Sequence, residues 1–150
     1  MGLDGQKAKA AVLSDRHIDE ILPGNMLQSA KCRIVGWGNT DPRTYKQSSV
    51  VLSAPVDIIP SGFCTNSTDR TYRKFNSPTQ FCAGRKGFDS CVGDSGGPLY
   101  CEVNQQWVLF GLTSYGPDPC GNIGGDTPGV YMNVAHILPF INQYVTGKSF

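Results

Sequence analysis

The chain has 150 residues, 39 % of them hydrophobic and 17 % charged, with a formal net charge of +1. That is enough polypeptide for one domain with a real core, and it is too apolar and too unrepetitive for a disordered segment. The near-neutral balance gives no reason to expect a nucleic acid or an acidic membrane as partner, and no apolar run reaches the length of a membrane span.

Six cysteines, an even number, are dense for a cytosolic chain of this length. None stands as Cys-x-x-Cys, so no zinc site is expected. Disulfides formed in an oxidising, extracellular compartment are expected instead, although the residues themselves do not choose among the many pairings. Met1-Gly2-Leu3-Asp4-Gly5-Gln6-Lys7 contains no apolar leader. Gln6 also stands where a myristoylated N-terminus has Ser or Thr. The cysteines outweigh the leader here, and the start reads as truncated, partial or engineered.

Residues 1–30 are mixed in composition and weakly periodic. Positions 8–13 form a short helix-tolerant run, and Ile21-Leu22-Pro23-Gly24-Asn25 reads as a strand end and turn. From Lys31 the pattern is all-β: short runs rich in Val, Ile, Phe, Tyr and Trp, punctuated by Gly and Pro. Strands are predicted over 32–38, within 49–59, and over 80–83, 98–103, 106–115 and 129–134. Asn104-Gln105 forms a tight hairpin between two of them. Residues 61–77 are polar and carry Cys64, which marks a surface excursion held by its own bridge. Within it, Asn66-Ser67-Thr68 is a glycosylation sequon on Asn66. After Asn133, a suitable N-cap, Val134, Ile137, Leu138, Ile141 and Val145 repeat at helical spacing. Pro139 falls inside this pattern and is expected to break its first turn. These elements add up to an all-β fold, an antiparallel six-stranded Greek-key barrel with a C-terminal helix.

Between two of the strands lies Asp89-Ser90-Cys91-Val92-Gly93-Asp94-Ser95-Gly96-Gly97-Pro98. Glycine permits tight turns and leaves peptide N–H groups uncovered. Two such groups beside a serine hydroxyl can stabilise the oxyanion of acyl transfer, which makes Ser95 the candidate nucleophile. A plain glycine turn needs only one or two of these residues. The same letters satisfy the Gly-x-Ser-x-Gly elbow of α/β-hydrolases, but that elbow runs from a strand into a helix. Here Leu99-Tyr100-Cys101-Glu102-Val103 follows and reads as strand.

Gly93-Asp94-Ser95-Gly96-Gly97-Pro98 resembles the nucleophile segment of the chymotrypsin-like serine proteases, and Asp89-Ser90-Cys91 its trypsin-type version. The resemblance continues, in family order, through Cys32-Arg33-Ile34-Val35-Gly36-Trp37-Gly38, Phe81-Cys82-Ala83-Gly84, Ser114-Tyr115-Gly116 and Pro128-Gly129-Val130-Tyr131. It covers about residues 31–146, the second half of such a protease. It implies that 31–150 form the C-terminal of two barrels and that 1–30 are the connection between barrels, or else an N-terminal tail. It implies the bridges Cys32–Cys101, Cys64–Cys82 and Cys91–Cys120, each of a kind whose removal costs about 2–5 kcal/mol.

The resemblance also implies roles. The N–H groups of Gly93 and Ser95 form the oxyanion hole, and Asp94 receives the new N-terminal ammonium made by zymogen cleavage. Asp89 is the floor of the primary specificity pocket, with Ser90, Ser114, Tyr115, Gly116 and Gly129 as its walls. An unpaired carboxylate in a closed pocket is costly, and a substrate Arg or Lys relieves that cost. Ser114–Gly116 would also pair with extended substrate backbone. Tyr115 replaces the family's usual Trp, and the segment from Cys120 to Pro128 carries a short insertion. Pro128 stands where sodium-binding members have Tyr, so no sodium, other metal or cofactor is expected. Arg33-Ile34-Val35-Gly36 looks like a zymogen cleavage site, but Trp37-Gly38 follows and Cys32 holds the segment within the barrel, so it reads as a strand.

A serine hydroxyl is a poor nucleophile until a histidine takes its proton and a carboxylate orients that histidine. The family carries both in the first barrel. The two histidines here, His17 and His136, do not match that context, nor does Asp57 in Pro-Val-Asp-Ile-Ile. The sequence therefore predicts the catalytic-serine half of a trypsin-like serine endopeptidase that cleaves after Arg or Lys, inactive alone. The alternatives are a non-catalytic protease-homologue binding module and a secreted structural domain that shares the barrel. The implied partners are Arg- or Lys-containing protein or peptide substrates, the missing N-terminal barrel and protein inhibitors. The face toward that missing barrel should be exposed and apolar, which favours self-association.

Overall fold

The elements run β1 (Val12–Leu13), α1 (Ile18–Ile21), β2 (Cys32–Gly36), β3 (Leu52–Ile59), α2 (Ser61–Thr65), a 3-10 turn (Arg70–Tyr72), β4 (Gln80–Gly84), β5 (Pro98–Val103), β6 (Gln106–Tyr115), β7 (Gly129–Asn133) and α3 (Val134–Val145). They come from a computed structural model that describes residues 11–21, 31–41, 43–44, 46–122 and 124–145.

Side chains alternate across a strand, so each strand's pattern sets what it turns inward. Ile34 of β2, Val56 and Ile58 of β3, Phe81 and Ala83 of β4, Leu99 of β5, Phe110 of β6 and Tyr131 of β7 meet in one core. Cys82 and Val130, one residue out of phase with Phe81 and Tyr131, point the other way. They are buried against Cys64 and Tyr72 of the excursion over 61–77. That excursion therefore covers the outer face of β4, whose Phe81, Cys82, Ala83 and Gly84 are all buried.

The strands pair in the order β6–β5–β2–β3–β4–β7, and β7 returns to β6. Every one of these pairs is antiparallel, which closes a six-stranded Greek-key barrel with α3 after it, as the sequence predicts. The observed bounds of β5 and β6 coincide with the predicted ones. Asn104 and Gln105 between them take φ of 49° and 64°, the left-handed pair that a two-residue hairpin requires. The disulfides are Cys32–Cys101, Cys64–Cys82 and Cys91–Cys120, the pairs that the resemblance implies.

Four local expectations are corrected. Within the helix-tolerant run at 8–13, Val12–Leu13 is a strand, parallel to Val108 and Leu109 of β6. The reason is tertiary. β7 pairs with β6 only from Gly111 onward, and β1 fills the edge left vacant before it. Ile21 closes a helical turn rather than a strand, while positions 22–25 lie outside the described residues. The strand expected over 32–38 ends at Gly36, because the Gly38 N–H is taken by the Asp94 carboxylate. Finally, α3 runs unbroken through Pro139. As the sixth helical residue, Pro139 removes only the bond to the Ala135 carbonyl.

The start of α3 is secured by Asn133, which is buried. Its Oδ1 accepts from the Ala135 N–H at 3.2 Å, and its Nδ2 donates to His17 Nδ1 at 2.7 Å. Asn133→Ala removes the cap and the partner of His17 together. It is expected to lower stability by about 2 kcal/mol, read from the midpoint of a urea titration followed by circular dichroism. An unchanged midpoint would show that the helix start is held by packing alone.

Candidate active site

The segment between β4 and β5 is folded by its own backbone. Asp94 N–H donates to Cys91 O at 3.0 Å and Gly97 N–H to Asp94 O at 2.8 Å. Gly96 N–H donates to Thr113 O and Thr113 N–H to Gly97 O, at 2.8 and 2.9 Å, which stitches the turn to β6. Gly93 sits at φ 100°, a conformation closed to ordinary side chains. Ser95 is exposed at the tip of the turn, and its hydroxyl makes no hydrogen bond among the described residues. The N–H groups of Gly93 and Ser95 likewise have no acceptor among those residues. Two unspent donors thus flank the carboxylate-bearing Asp94, one of them on the serine itself.

Asp94 points away from the tip. Its Oδ1 accepts from the Gly38 N–H at 2.7 Å and its Oδ2 from the Cys91 N–H at 3.0 Å. A Cβ on either Gly36 or Gly38 would collide with this carboxylate, so the Gly-Trp-Gly segment is what allows the approach. A carboxylate has more lone pairs than these two amides use.

Asp89 is the most perturbed acid of the site. Burial pushes its carboxyl up to about 7, against the partial opposition of the nearby Ser90, Gly121 and Gly129 amides and the Tyr131 hydroxyl. Only the Ser90 N–H makes a short hydrogen bond, to Oδ1 at 2.8 Å, while Oδ2 is buried with no partner.

Two cavities flank this segment. One, of about 280 Å³, is lined by Ser95 together with Ser90, Ser114, Tyr115 and Gly116. The other, of about 370 Å³, is lined by Asp89 and Asp94 with Ile34, Leu52 and Phe88. They share the wall of Ser90, Cys91, Thr113 and Cys120, which includes the Cys91–Cys120 bridge. Asp89 borders the second cavity rather than the one at Ser95. Gly129, expected in the wall of the serine's cavity, lines neither one: a Cβ on it would lie 2.6 Å from Asp89 Oδ1, and one on Gly116, which does line the cavity at Ser95, would lie 3.6 Å from Gly129 Cα.

Neither histidine lines either cavity. His17 is engaged by Asn133, and His136 is exposed on α3. Asp57 pairs with Arg85, whose Nε donates to Asp57 Oδ2 at 2.9 Å. Arg33-Ile34-Val35-Gly36 is paired within β2 and has Ile34 in the core, and Arg33 donates to Ser53 Oγ at 2.8 Å. Three residues of the site carried no signal of their own in the sequence. Tyr72 donates its hydroxyl to Pro128 O at 2.8 Å, Asn39 has a buried Nδ2 without a partner, and Asn122 is a buried residue in a left-handed conformation.

Fold and motif define a chymotrypsin-like serine protease barrel. The family model described as Trypsin matches residues 16–141, and the chain belongs to that family. It is 40 % identical over 126 residues to Melanization protease 1 of Drosophila melanogaster, covering 81 % of this chain and 30 % of that protein. It is 36 % identical over 145 residues to Kallikrein-8 of Homo sapiens, covering 96 % of this chain and 49 % of that protein. Among solved structures it resembles mouse neuropsin, a serine protease expressed in the limbic system of the brain. The TM-score is 0.72 at 32 % identity, over 90 % of this chain and 53 % of that one. The chain thus spans about half, or less, of the length of these relatives.

Proposed function

We propose that this chain carries the nucleophile and the specificity pocket of a secreted, trypsin-like serine endopeptidase that cleaves peptide bonds after Arg or Lys. The observation that carries the reading is the buried, unpartnered Oδ2 of Asp89, next to the Gly116–Gly129 strip whose Gly116 lines the cavity at Ser95. A cationic side chain entering beside Ser114–Gly116 and passing that strip would supply the missing partner. With its charge held there, the next peptide carbonyl would lie at Ser95. Ser95 Oγ attacks the carbonyl carbon, a general base takes the hydroxyl proton, and the oxyanion forms against the N–H groups of Gly93 and Ser95. The amine leaves with a proton, and water releases the acyl group by the same steps in reverse order.

The second cavity takes a new chain N-terminus in this reading. Its ammonium would use the spare lone pairs of Asp94, and Asn39 Nδ2, a donor in the same cavity, would meet a carbonyl of the incoming segment rather than the ammonium. The three disulfides favour an oxidising compartment.

In this reading the general base comes from outside these residues, since neither His17 nor His136 lines the serine's cavity. A histidine and an aspartate from a partner barrel complete the site. Purified chain 1–150 is therefore expected to hydrolyse an arginyl thioester or amide at a negligible rate, indistinguishable from its Ser95→Ala variant. Turnover at ordinary protease rates, lost in Ser95→Ala, would place the base within the chain and overturn this assignment.

A further inference from the structure

The loop that follows Cys120 is closed at its neck by one side chain. Asn122 is buried at 1 % exposure and sits at φ 44°, a left-handed conformation that Asn tolerates better than most residues. Its carbonyl accepts from the Gly87 N–H at 3.1 Å and from the Gly125 N–H at 3.0 Å. Its Oδ1 accepts from the Thr127 N–H at 2.9 Å and, at 3.4 Å, from the Thr127 hydroxyl. A Cβ on Gly84 would meet Asn122 Nδ2 at 2.9 Å and Pro128 Cα at 3.2 Å, so the amide is wedged between β4 and the returning chain.

Each of these attachments lies one or two residues from the groups that surround Asp89. Gly87 lies within the Arg85–Phe88 turn, which is itself closed by Arg85 N–H to Phe88 O at 3.0 Å and leads directly into Asp89. Gly121 precedes Asn122, and its amide faces the Asp89 carboxylate. Thr127 precedes Pro128 and Gly129, whose carbonyl is held by Tyr72 and whose amide faces Asp89, respectively. Asn122 is therefore the common tie of the three strands of backbone that enclose one carboxylate. A buried amide with its bonds made is costly to replace and rigid.

We infer that Asn122 is a positioning residue for the cation pocket: by pinning Gly87, Gly121 and Thr127 together it sets the enclosure of Asp89 and so the affinity for an Arg- or Lys-like cation. The inference rests on the reading of Asp89 as the cation's partner. Asp126 is a charged group of the loop itself; Lys86 of the neighbouring Arg85–Phe88 turn lays its stem against Gly125, and Arg85 of that turn is paired with Asp57. Asp94, Tyr72 and Tyr131 are the titratable groups that bear on the region of Asp89.

The test uses chain 1–150 with benzamidine, an aryl amidine cation, by calorimetry at pH 8, together with a carbon-13 NMR titration of the Asp89 carboxyl. Asn122→Gly keeps the left-handed backbone and removes only the side chain. It is expected to weaken benzamidine by about tenfold or more, and to move the Asp89 titration down toward an ordinary aspartate as water enters. Asn122→Asp keeps the Oδ1 acceptor and should bind within about threefold of the parent chain. Unchanged affinity and titration in Asn122→Gly would overturn the inference while leaving the cation reading intact. A tenfold loss in Asn122→Asp despite a native amide spectrum would overturn it as well. A parent chain that binds no benzamidine, with Asp89 titrating as buried, removes the cation reading and this inference with it.

Discussion

Asp89→Ser is expected to abolish measurable benzamidine binding to chain 1–150. Removing one member of a desolvated charge pair costs about 2–5 kcal/mol, or roughly 30- to 5000-fold in affinity. The loss should be selective for cations. The wall that the two cavities share, with the Cys91–Cys120 bridge, stays in place, so a neutral aryl ligand would bind as weakly to the variant as to the parent. The pH dependence follows from the carboxyl's position at about 7. Below that value the acid is protonated and has no charge to offer, so benzamidine affinity should fall by about a factor of ten per pH unit as pH drops below 7. Stability without ligand runs the other way. The folded state keeps this proton up to about pH 7, whereas the unfolded chain releases it near 3.8. The group's stabilising contribution is complete below the unfolded value and is lost as pH rises toward 7. Asp89→Asn should flatten that slope. Urea midpoints at several pH values, with and without benzamidine, measure both effects. Equal binding by Asp89→Ser and the parent chain would rule out Asp89 as the cation's partner.

The second large effect concerns a glycine with no unusual torsion. Gly38 does not have a left-handed φ, so alanine is tolerated there by the backbone, yet its Cβ would collide with the Asp94 carboxylate. The carboxylate cannot yield without giving up the Gly38 and Cys91 amides. Hydrogen bonds to a charged group are worth about 1.5–3 kcal/mol each. Gly38→Ala is therefore expected to cost about 3 kcal/mol or more, and to shift the amide resonances of Cys91, Asp94 and Ser95. Gly87 provides the contrast. It sits at φ 79° with nothing within 4 Å of an added Cβ. Gly87→Ala thus carries only backbone strain of about 1–2 kcal/mol. If the two variants lose equal stability and leave Ser95 equally undisturbed, the Asp94 carboxylate is not what holds the serine turn.

Much of the barrel was legible because its signals are local. Alternating β-formers with Gly and Pro between them located β5 and β6 to the residue, and Asn104-Gln105 marked their turn. The bridges were legible only through family resemblance, since no local rule pairs Cys32 with a cysteine 69 positions away. Val12–Leu13 was misread because its strand state exists only by pairing with a vacant stretch of β6. Ile18, which completes the core at 0 % exposure, follows no periodic pattern in its own segment. Pro139 was misread in the opposite sense: a strong local breaker cost too little to end a capped helix.

The letters from Asp89 to Pro98 were sufficient to single out Ser95 as a candidate nucleophile among exposed peptide N–H groups, because that reading depends on what a residue is and what adjoins it, whereas the expected roles of the Gly93 and Ser95 amides and of Asp94 came from the family resemblance. Only the tertiary structure decided that Asp89 has a buried oxygen without a partner, that it borders a different cavity from Ser95, and that Asn122 and Tyr72 brace the chain around it. Desolvation is the reason. It is produced by atoms brought from β2, β4 and the Cys120–Gly129 segment at once, and it has no representation in any short stretch of the chain.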